Sequence, residues 1–479
     1  MDVICKSKNK NRYNEILLKS NFKFNQYQYD GVEWCIRNEL DNINSIRGGI
    51  IADEMGLGKT IQMIGLMYIN FVPRTLIVLP PVLIQQWYDQ IYKCTGHKAI
   101  IYYGKNKNKI TSNILSKSPI ILTTYNTLLP SQCPLNLIKW NRVIFDEAHH
   151  LRNHKSKRFI GANKLMSPIK WFVSGTPIQN KRKDLYNLFN LIGLQPKFYT
   201  DQNNLPFIYK HFILRRTKSQ IGIQIPPICK QDLVVQWKNL KEQQLSEEIH
   251  SLLSLSGVSE NRGRKLSKLM GDKGKLIALL RARQSCVLPS LMSKGMNTLI
   301  QNGLISTDYS EAIKHSSKID AVIQTILQRK DNKKGKIIFC HFTNEIDIIA
   351  QRLSVGGIKH IVKYDGRSNK NMNLANKADV LIMQIQTGCE GLNLQEHFSE
   401  VYFVSPHWNP CVEDQAIARC HRIGQTKTVN VFKFEMVGFV KDIEQDIAPI
   451  SMEKYVNKIQ NNKREISQMM LEPNIKNVD

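Results

Sequence analysis

The sequence predicts an α/β fold of two parallel-sheet lobes joined by a helical segment, and three observations predict it. Short β-branched runs alternate with helical stretches in the first part of the chain, the same alternation returns after about residue 335, and between the two the composition turns helical and basic. The first set of runs is TLIVLP (75–80), AIIYYG (99–104), PIILTTY (119–125), RVIFDEAHH (142–150) and KWFVSGTP (170–177). Continuous apolar runs bounded by turn residues and separated by helices belong to parallel strands covered on both faces. The second set is KIIFCHF (336–342), KHIVKY (359–364), DVLIMQIQ (379–386), EVYFVSP (400–406) and TVNVFKF (428–434). From about His211 to Ser310 strand signals fade, as in NRGRKLSKLMGDKGKLIALLRARQ (261–284), which reads as basic helix. The expected organisation is an N-terminal lobe over 1–210, a helical basic segment over 211–310, a C-terminal lobe over 311–450, and a docking helix with a polar tail over 451–479.

Bulk properties bound the function. A chain of 479 residues with 42% hydrophobic content has room for two or three domains. Lys and Arg outnumber Asp and Glu by 67 to 40, a formal charge of +27, which favours a polyanionic partner through counterion release. Nucleic acid ranks first and an anionic membrane second. The N-terminal MDVICKSKNKNRYNE has no apolar stretch after its basic residues, and no apolar run reaches the roughly 18 to 20 residues of a spanning helix, so neither secretion nor membrane insertion is expected. The ten cysteines include no C-x-x-C pair, which argues against zinc and predicts reduced thiols in a cytosolic or nuclear compartment.

The chemistry-bearing residues fall in three stretches. IIADEMGLGKT (50–60) nearly spells a phosphate-binding loop, with Asp53 where its first glycine should stand. Gly58, Lys59 and Thr60 supply backbone N–H groups, an ammonium for the β/γ-phosphates and a hydroxyl for magnesium. In VIFDEAHH an apolar strand delivers Asp146 and Glu147 at its carboxyl end, where ligands bind in open α/β sheets. Asp146 is expected to hold magnesium, and Glu147 to orient and deprotonate the attacking water. In EDQAIARCHRIGQ (413–425), Arg419 and Arg422 stand three apart, a spacing that on a helix puts both guanidinium groups on one face to reach a γ-phosphate across a cleft.

Together GGIIADEMGLGKT, DEAHH, VSGTPIQN (173–180), ILRRTK (213–218) and HWNPCVEDQAIARCHRIGQ (407–425) resemble, in order, the Swi/Snf family of superfamily II DNA-dependent ATPases, from about Phe24 to Ile443. The resemblance implies two RecA-like lobes, ATP and Mg2+ as cofactors, and double-stranded DNA as partner. It implies that Gln28, in FNQYQYDG, meets adenine. It makes Asp53, Glu54, Met55, Gly56, Leu57, Gly58, Lys59 and Thr60 the nucleotide loop, with Gly391 and Gln415 completing the nucleotide site from the second lobe. Thr60 and Asp146 become the metal ligands, Lys59, Asp146 and Glu147 the catalytic set, and Arg419 and Arg422 the arginine fingers. DNA contacts are implied at Pro80, Thr123, Thr124, Ser174, Gly175, Thr387 and Gly388.

The family pattern is broken in a few places. Cys389 replaces a usual glycine in TGCEGLNLQ, Ser405 and His407 replace an acidic and a bulkier residue, Ala418 replaces an aspartate, and VGFVKDIE matches the closing stretch weakly. The motif wording is closest to the branch with DNA-repair translocases and transcription-termination ATPases, without a ring finger. Almost a bare motor is expected, intracellular, in the nucleus or, if viral, at a cytoplasmic replication site or in the virion. Nucleosomes, a polymerase or other DNA-bound proteins fit as cargo. A strand-separating DNA or RNA helicase, and a degenerate motor serving as a DNA-binding or recruiting module, remain the competing readings.

Overall fold

The computed structural model describes residues 3–130, 132–179, 181–253, 276–301, 303, 305, 309–367, 378–388, 392–439 and 451–471. Asn180, Arg262, Arg264, Lys265, Lys268, Cys389, Gly391 and most of VGFVKDIE lie outside the described residues. The chain divides into two compact units, residues 1–224 with 463–479, and residues 225–462.

The first unit is built on a seven-stranded sheet of β1 (Arg47–Ile51), β2 (Thr75–Leu79), β3 (Ile100–Tyr102), β4 (Ile120–Thr124), β5 (Arg142–Asp146), β6 (Ile169–Val173) and β7 (Ile213–Leu214), in the order β3-β4-β2-β5-β6-β1-β7. Its strand pairs are parallel. Alternate residues feed two cores, because successive side chains point to opposite faces. Ile50, Leu76, Val78, Val143, Phe145 and Phe172 pack on one face with Leu185, Leu188 and Phe189. Ile51, Ile77, Leu79, Ile144, Trp171 and Val173 pack on the other. That second face is covered by α1 (Val3–Lys19), α2 (Gln26–Leu40), α3 (Lys59–Ile69) and α4 (Ile84–Thr95), through Tyr13, Val32, Met63 and Trp87 among others. Fully burying one such side chain contributes about 1.5–3 kcal/mol, so the double-sided core is what holds the sheet.

The second unit has a six-stranded sheet of β8 (Ile228–Val235), β9 (Gly335–Cys340), β10 (Ile361–Tyr364), β11 (Val380–Gln384), β12 (Phe398–Phe403) and β13 (Val429–Met436), in the order β10-β11-β9-β12-β13-β8, again with parallel pairs. Ile338, Val380, Ile382, Tyr402 and Phe432 face one core, and Ile337, Phe339, Leu381, Met383 and Val401 the other. Met452 and Val456, on helix Met452–Leu471, are buried in the first of these.

The reading of 211–310 as helical needs correction, because it contains β7 and the eight-residue β8. Strand β8 is an edge strand, and four of its residues in a row, Cys229 to Asp232, are exposed. Its polar ICKQDLVV sequence therefore lacks the apolar run that announces a buried strand. Strand β1 was also absent from the strand reading, since its glycine-rich RGGII merges with the loop that follows.

At the floor of the first sheet lies a buried ion pair. Arg142, which opens β5, donates from Nε and Nη2 to the two carboxylate oxygens of Glu39 at 2.6 and 2.5 Å, and both side chains are fully buried. Trp171 Nε1 and Asn70 Nδ2 also donate to this carboxylate, at 2.8 and 2.6 Å. The network ties α2, α3, β5 and β6 together at the edge away from the strand ends that carry the motifs. Removing one partner leaves an uncompensated charge, so Arg142→Met should cost about 3–5 kcal/mol of stability. The Glu39→Met/Arg142→Met double variant should recover most of that loss, as measured by urea unfolding.

Candidate active site

Parallel strands end on one edge, and the register sets which loops meet there. Ile51 pairs with Val173, and Val173 pairs with Asp146. The phosphate-type loop after β1, the Ser174–Pro177 turn after β6 and the acidic pair at the end of β5 therefore emerge side by side at one level. The SGTP turn sits between the other two, because β6 lies between β1 and β5. Ser174 N donates to Ile51 O at 3.0 Å and fixes the turn against the loop.

The loop ends in α3, whose first residues are Lys59 and Thr60. Gly56 and Gly58 take φ of +89° and +78°, the left-handed region that glycine occupies without strain. The Lys59 ammonium donates to Asp53 O at 2.8 Å and Glu54 O at 3.3 Å. Burial lowers its pKa, opposed by the charges of Glu147, Asp53 and Asp146. A side chain at Gly175 would come within 2.7 Å of Met55 Cγ and 3.2 Å of this ammonium, so the SGTP turn needs glycine to approach the loop.

Asp146 is buried. Its Oδ2 accepts from Trp87 Nε1 at 2.7 Å, its Oδ1 from Glu147 N at 2.9 Å, and its carbonyl from Tyr125 Oη at 2.6 Å. Burial first, then the neighbouring Glu147 charge, pushes the Asp146 carboxyl up. A carboxylate so desolvated, beside a second one and a lysine, fits a divalent cation that would neutralise it, and the Thr60 hydroxyl is the other expected ligand. Glu147 has a left-handed backbone, φ +50°, uncommon for a residue with a side chain. Its Oε2 lies 3.2 Å from His149 Nδ1, and the same nitrogen is 3.5 Å from Ser174 Oγ, which links the acidic strand end to the SGTP turn.

Gln28 is buried against the loop and donates to Leu57 O at 3.2 Å, as does the Tyr27 hydroxyl. Asp53, the residue in place of the first glycine, is fully buried against Arg216, and Glu54 pairs with Lys218 Nζ at 3.0 Å. Burial raises the Glu54 carboxyl, and the Lys218 bonds and charge more than offset this, so its pKa is lowered.

The side chains at four of the positions implied as DNA contacts on this edge are buried. Thr123 and Thr124 are 0% and 1% exposed, and Pro80 and Ser174 are also buried. Thr123 Oγ1 donates to Tyr102 O, while Thr124 Oγ1 accepts from Thr127 N to start the 3-10 turn Tyr125–Leu128. Their threonines close the strand end and do not present it to solvent. The exposed groups there are Pro81 and Asn126, with Arg158 Nε on Asn126 Oδ1 at 3.1 Å.

In the second unit, helix Pro410–Ile417 ends before Arg419. The two arginines thus leave from the turns after the helix, and not from one helical face. Gln425 braces this exit, its Nε2 donating to Cys420 O and Phe398 O at 3.1 Å each. Gln415 is buried in the helix, and Thr387 and Gly388 close the short helix Ile385–Gly388. Burial, then the like charge of Arg419, pushes Arg422 down to about 10. Arg422 Nη1 donates to the Asn393 side chain, Arg419 Nε is buried without a hydrogen-bond partner among the described residues, and no carboxylate there pairs with either. Desolvated like charges of this kind are stabilised by an anion. Of the departures, His407 is integrated, with Nδ1 accepting from Asn409 N at 3.0 Å and its own N–H donating to Glu413 at 2.8 Å, whereas the buried Ser405 hydroxyl has no partner among the described residues.

Trp87, Tyr125, His149, Gln62 and Arg216 were not singled out from the sequence. His149 and Arg216 stand within quoted motifs, DEAHH and ILRRTK, while Trp87 and Gln62 had no such signal.

A phosphate-type loop beside an acidic strand end in one parallel-sheet unit, followed by a second such unit with two half-buried arginines just past a helix end, is the architecture of a helicase-like ATPase. Residues 27–291 match the family model of the SNF2-related domain, and residues 317–424 that of the helicase conserved C-terminal domain. The chain belongs to the SNF2-related family. It is similar to an uncharacterized ATP-dependent helicase of Mycoplasma genitalium, 29% identical over 471 residues that cover 92% of this chain and 41% of that protein. It is similar also to the ATP-dependent DNA helicase DDM1 of Arabidopsis thaliana, 27% identical over 459 residues, covering 85% and 58%. The chain thus spans less than two thirds of either relative. Among solved structures, the SWI2/SNF2 ATPase core of Sulfolobus solfataricus in complex with dsDNA aligns over 93% of this chain and 92% of that one, with 23% identity and a TM-score of 0.39.

The crowding around Gly175 gives a direct check on the nucleotide loop. Gly175→Ala should push Met55 and the Lys59 ammonium aside, a clash of 1–3 kcal/mol that should weaken fluorescent ADP binding about tenfold or more in an equilibrium titration.

Proposed function

We propose that the chain is an ATP-driven duplex-DNA translocase that shifts or displaces what is bound to DNA. The observation that carries the reading is the juxtaposition, at one sheet edge, of Lys59, Asp146 and Glu147, with the SGTP turn wedged between their loops. In this reading Gln28 meets the adenine, the α3 N-terminus and Lys59 hold the β/γ-phosphates, and Glu147 orients the attacking water and takes its proton. Thr60 and Asp146 would hold magnesium, which when bound supplies positive charge along the phosphates. Arg419 and Arg422 would neutralise the charge that develops on the γ-phosphoryl group, which would make hydrolysis depend on the two lobes coming together. Gly391 and Gln415 would complete the site from the second lobe.

Duplex DNA as the track is supported by family membership and by the +27 charge. Contacts would be made mainly to the phosphate backbone, which carries no base sequence. On the first lobe, exposed Pro81 and Asn126 with Arg158 are better placed for this than the buried Thr123 and Thr124. Nucleosomes, a polymerase or other DNA-bound proteins are the proposed cargo, at an intracellular site. Strand separation is the competing activity.

Steady-state ATPase with no nucleic acid, duplex DNA, single strands and RNA, paired with a tailed-duplex unwinding assay, tests the reading. Duplex DNA should stimulate turnover most, chelation of magnesium should abolish it, and Glu147→Gln should lower it by about 100-fold or more. Equal stimulation by RNA, or unwinding, would replace the translocase with a helicase. Absence of turnover under every condition would leave a DNA-binding module.

A further inference from the structure

In the first unit the buried Asp53 carboxylate is held on several sides. Arg216 donates from Nε to Oδ1 at 3.0 Å, from Nη2 to Oδ2 at 2.5 Å, and from its backbone N–H to Oδ1 at 3.1 Å. Gln62, on α3, donates to Oδ2 at 3.0 Å and accepts from Arg216 Nη2 at 3.0 Å. The remaining Arg216 nitrogen, Nη1, donates to Tyr27 O, and the guanidinium lies 5.5 Å from the Tyr27 ring centroid. Tyr27 in turn donates its hydroxyl to Leu57 O, at the far end of the same loop. One guanidinium therefore touches the start of the phosphate-type loop, the helix that follows it, and the start of α2, whose Tyr27 grips the loop's end.

The backbone repeats the pattern. Past the paired ends of β1 and β7, Ala52 N donates to Leu214 O at 2.7 Å and Glu54 N to Arg216 O at 2.9 Å, while Lys218 N donates to the Glu54 carboxylate at 2.8 Å. The first half of the loop is laced to residues 214–218, more than 150 residues downstream.

Space is reserved for this hub. A Cβ on Gly31, in α2, would lie 2.1 Å from Gln62 Oε1 and 2.8 Å from Arg216 Nη2.

We propose that Arg216 is a positioning residue for the nucleotide site, fixing both ends of the loop and α3 so that Lys59 and Thr60 are presented to the phosphates, and that Asp53 replaces the usual glycine to receive it. This rests on the reading of Lys59 and Thr60 as the phosphate site. A fork of donors is required, because the two carboxylate oxygens, Gln62 and Tyr27 O lie in different directions from one planar group.

Four variants test it: Arg216→Gln, Arg216→Lys, Gly31→Ala, and Asp53→Asn with Arg216→Gln together. The readouts are the Kd of fluorescent ADP, the split of KM and kcat for ATP with duplex DNA, and the unfolding midpoint. Arg216→Gln should raise Kd and KM about tenfold or more, with a smaller change in kcat. Arg216→Lys should fall between it and the wild type. The double variant should bind better than Arg216→Gln, since no unpaired carboxylate remains. Gly31→Ala introduces no charge and is favourable to a helix, so it addresses the hub even if Arg216→Gln does not fold, and it should raise Kd several-fold. A lowered unfolding midpoint with unchanged Kd and KM across the folded variants would overturn the positioning role. Failure of the wild type itself to bind ADP would overturn the site reading beneath it, a different result.

Discussion

The first unit depends on one constraint, the placing of β6 between β1 and β5 in matched register. A single strand of separation in a parallel sheet is about 4.8 Å, so two loops whose strands flank a third stand about one small ligand apart. The turn after β6 then has to be lean. Gly175 meets that need, and the contact from Ser174 N to Ile51 O keeps the turn from lifting away. The buried Glu39–Arg142 pair acts at the opposite edge, where Trp171 of β6 and Arg142 of β5 share one carboxylate. Register errors between those strands would break that sharing, so the ion pair and the active edge are two ends of the same alignment.

What was legible in the sequence was whatever is local. Lys59, Asp146 and Glu147 announce themselves because each sits in a short stretch whose residue types have few other uses together. The strands buried on both faces were legible for a similar reason, since burial forces a run of apolar residues. Strand β8 was missed because its exposed edge carries Lys230, Gln231 and Asp232. The burial of the Thr123 and Thr124 hydroxyls was not legible, because a sequence does not say whether a hydroxyl at a strand end faces water or caps the next turn. The spacing of Arg419 and Arg422 was sound as a helical pattern, yet the helix ends at Ile417, before the pattern applies. The partnership of Asp53 and Arg216 spans 163 residues and leaves no local trace.

That partnership changes how the loop should be understood. A glycine-rich phosphate loop normally owes its shape to its own backbone. Here part of the shape is borrowed from a distant segment, through an ion pair whose partners are both desolvated or nearly so. Borrowed shape is costly to lose, because a buried carboxylate stranded without its guanidinium is a larger penalty than the loss of an ordinary hydrogen bond. The loop is thereby tied to residues more than 150 positions away in the sequence.

The seat of the Lys59 ammonium on Asp53 O and Glu54 O has a kinetic meaning. A buried cation whose only partner is a departing anion must be stripped bare as that anion leaves, and the departure is slow. A lysine with two carbonyls within reach is handed over instead. In the proposed reading, emptying the site would trade one set of bonds for another, which would lower the barrier to product escape.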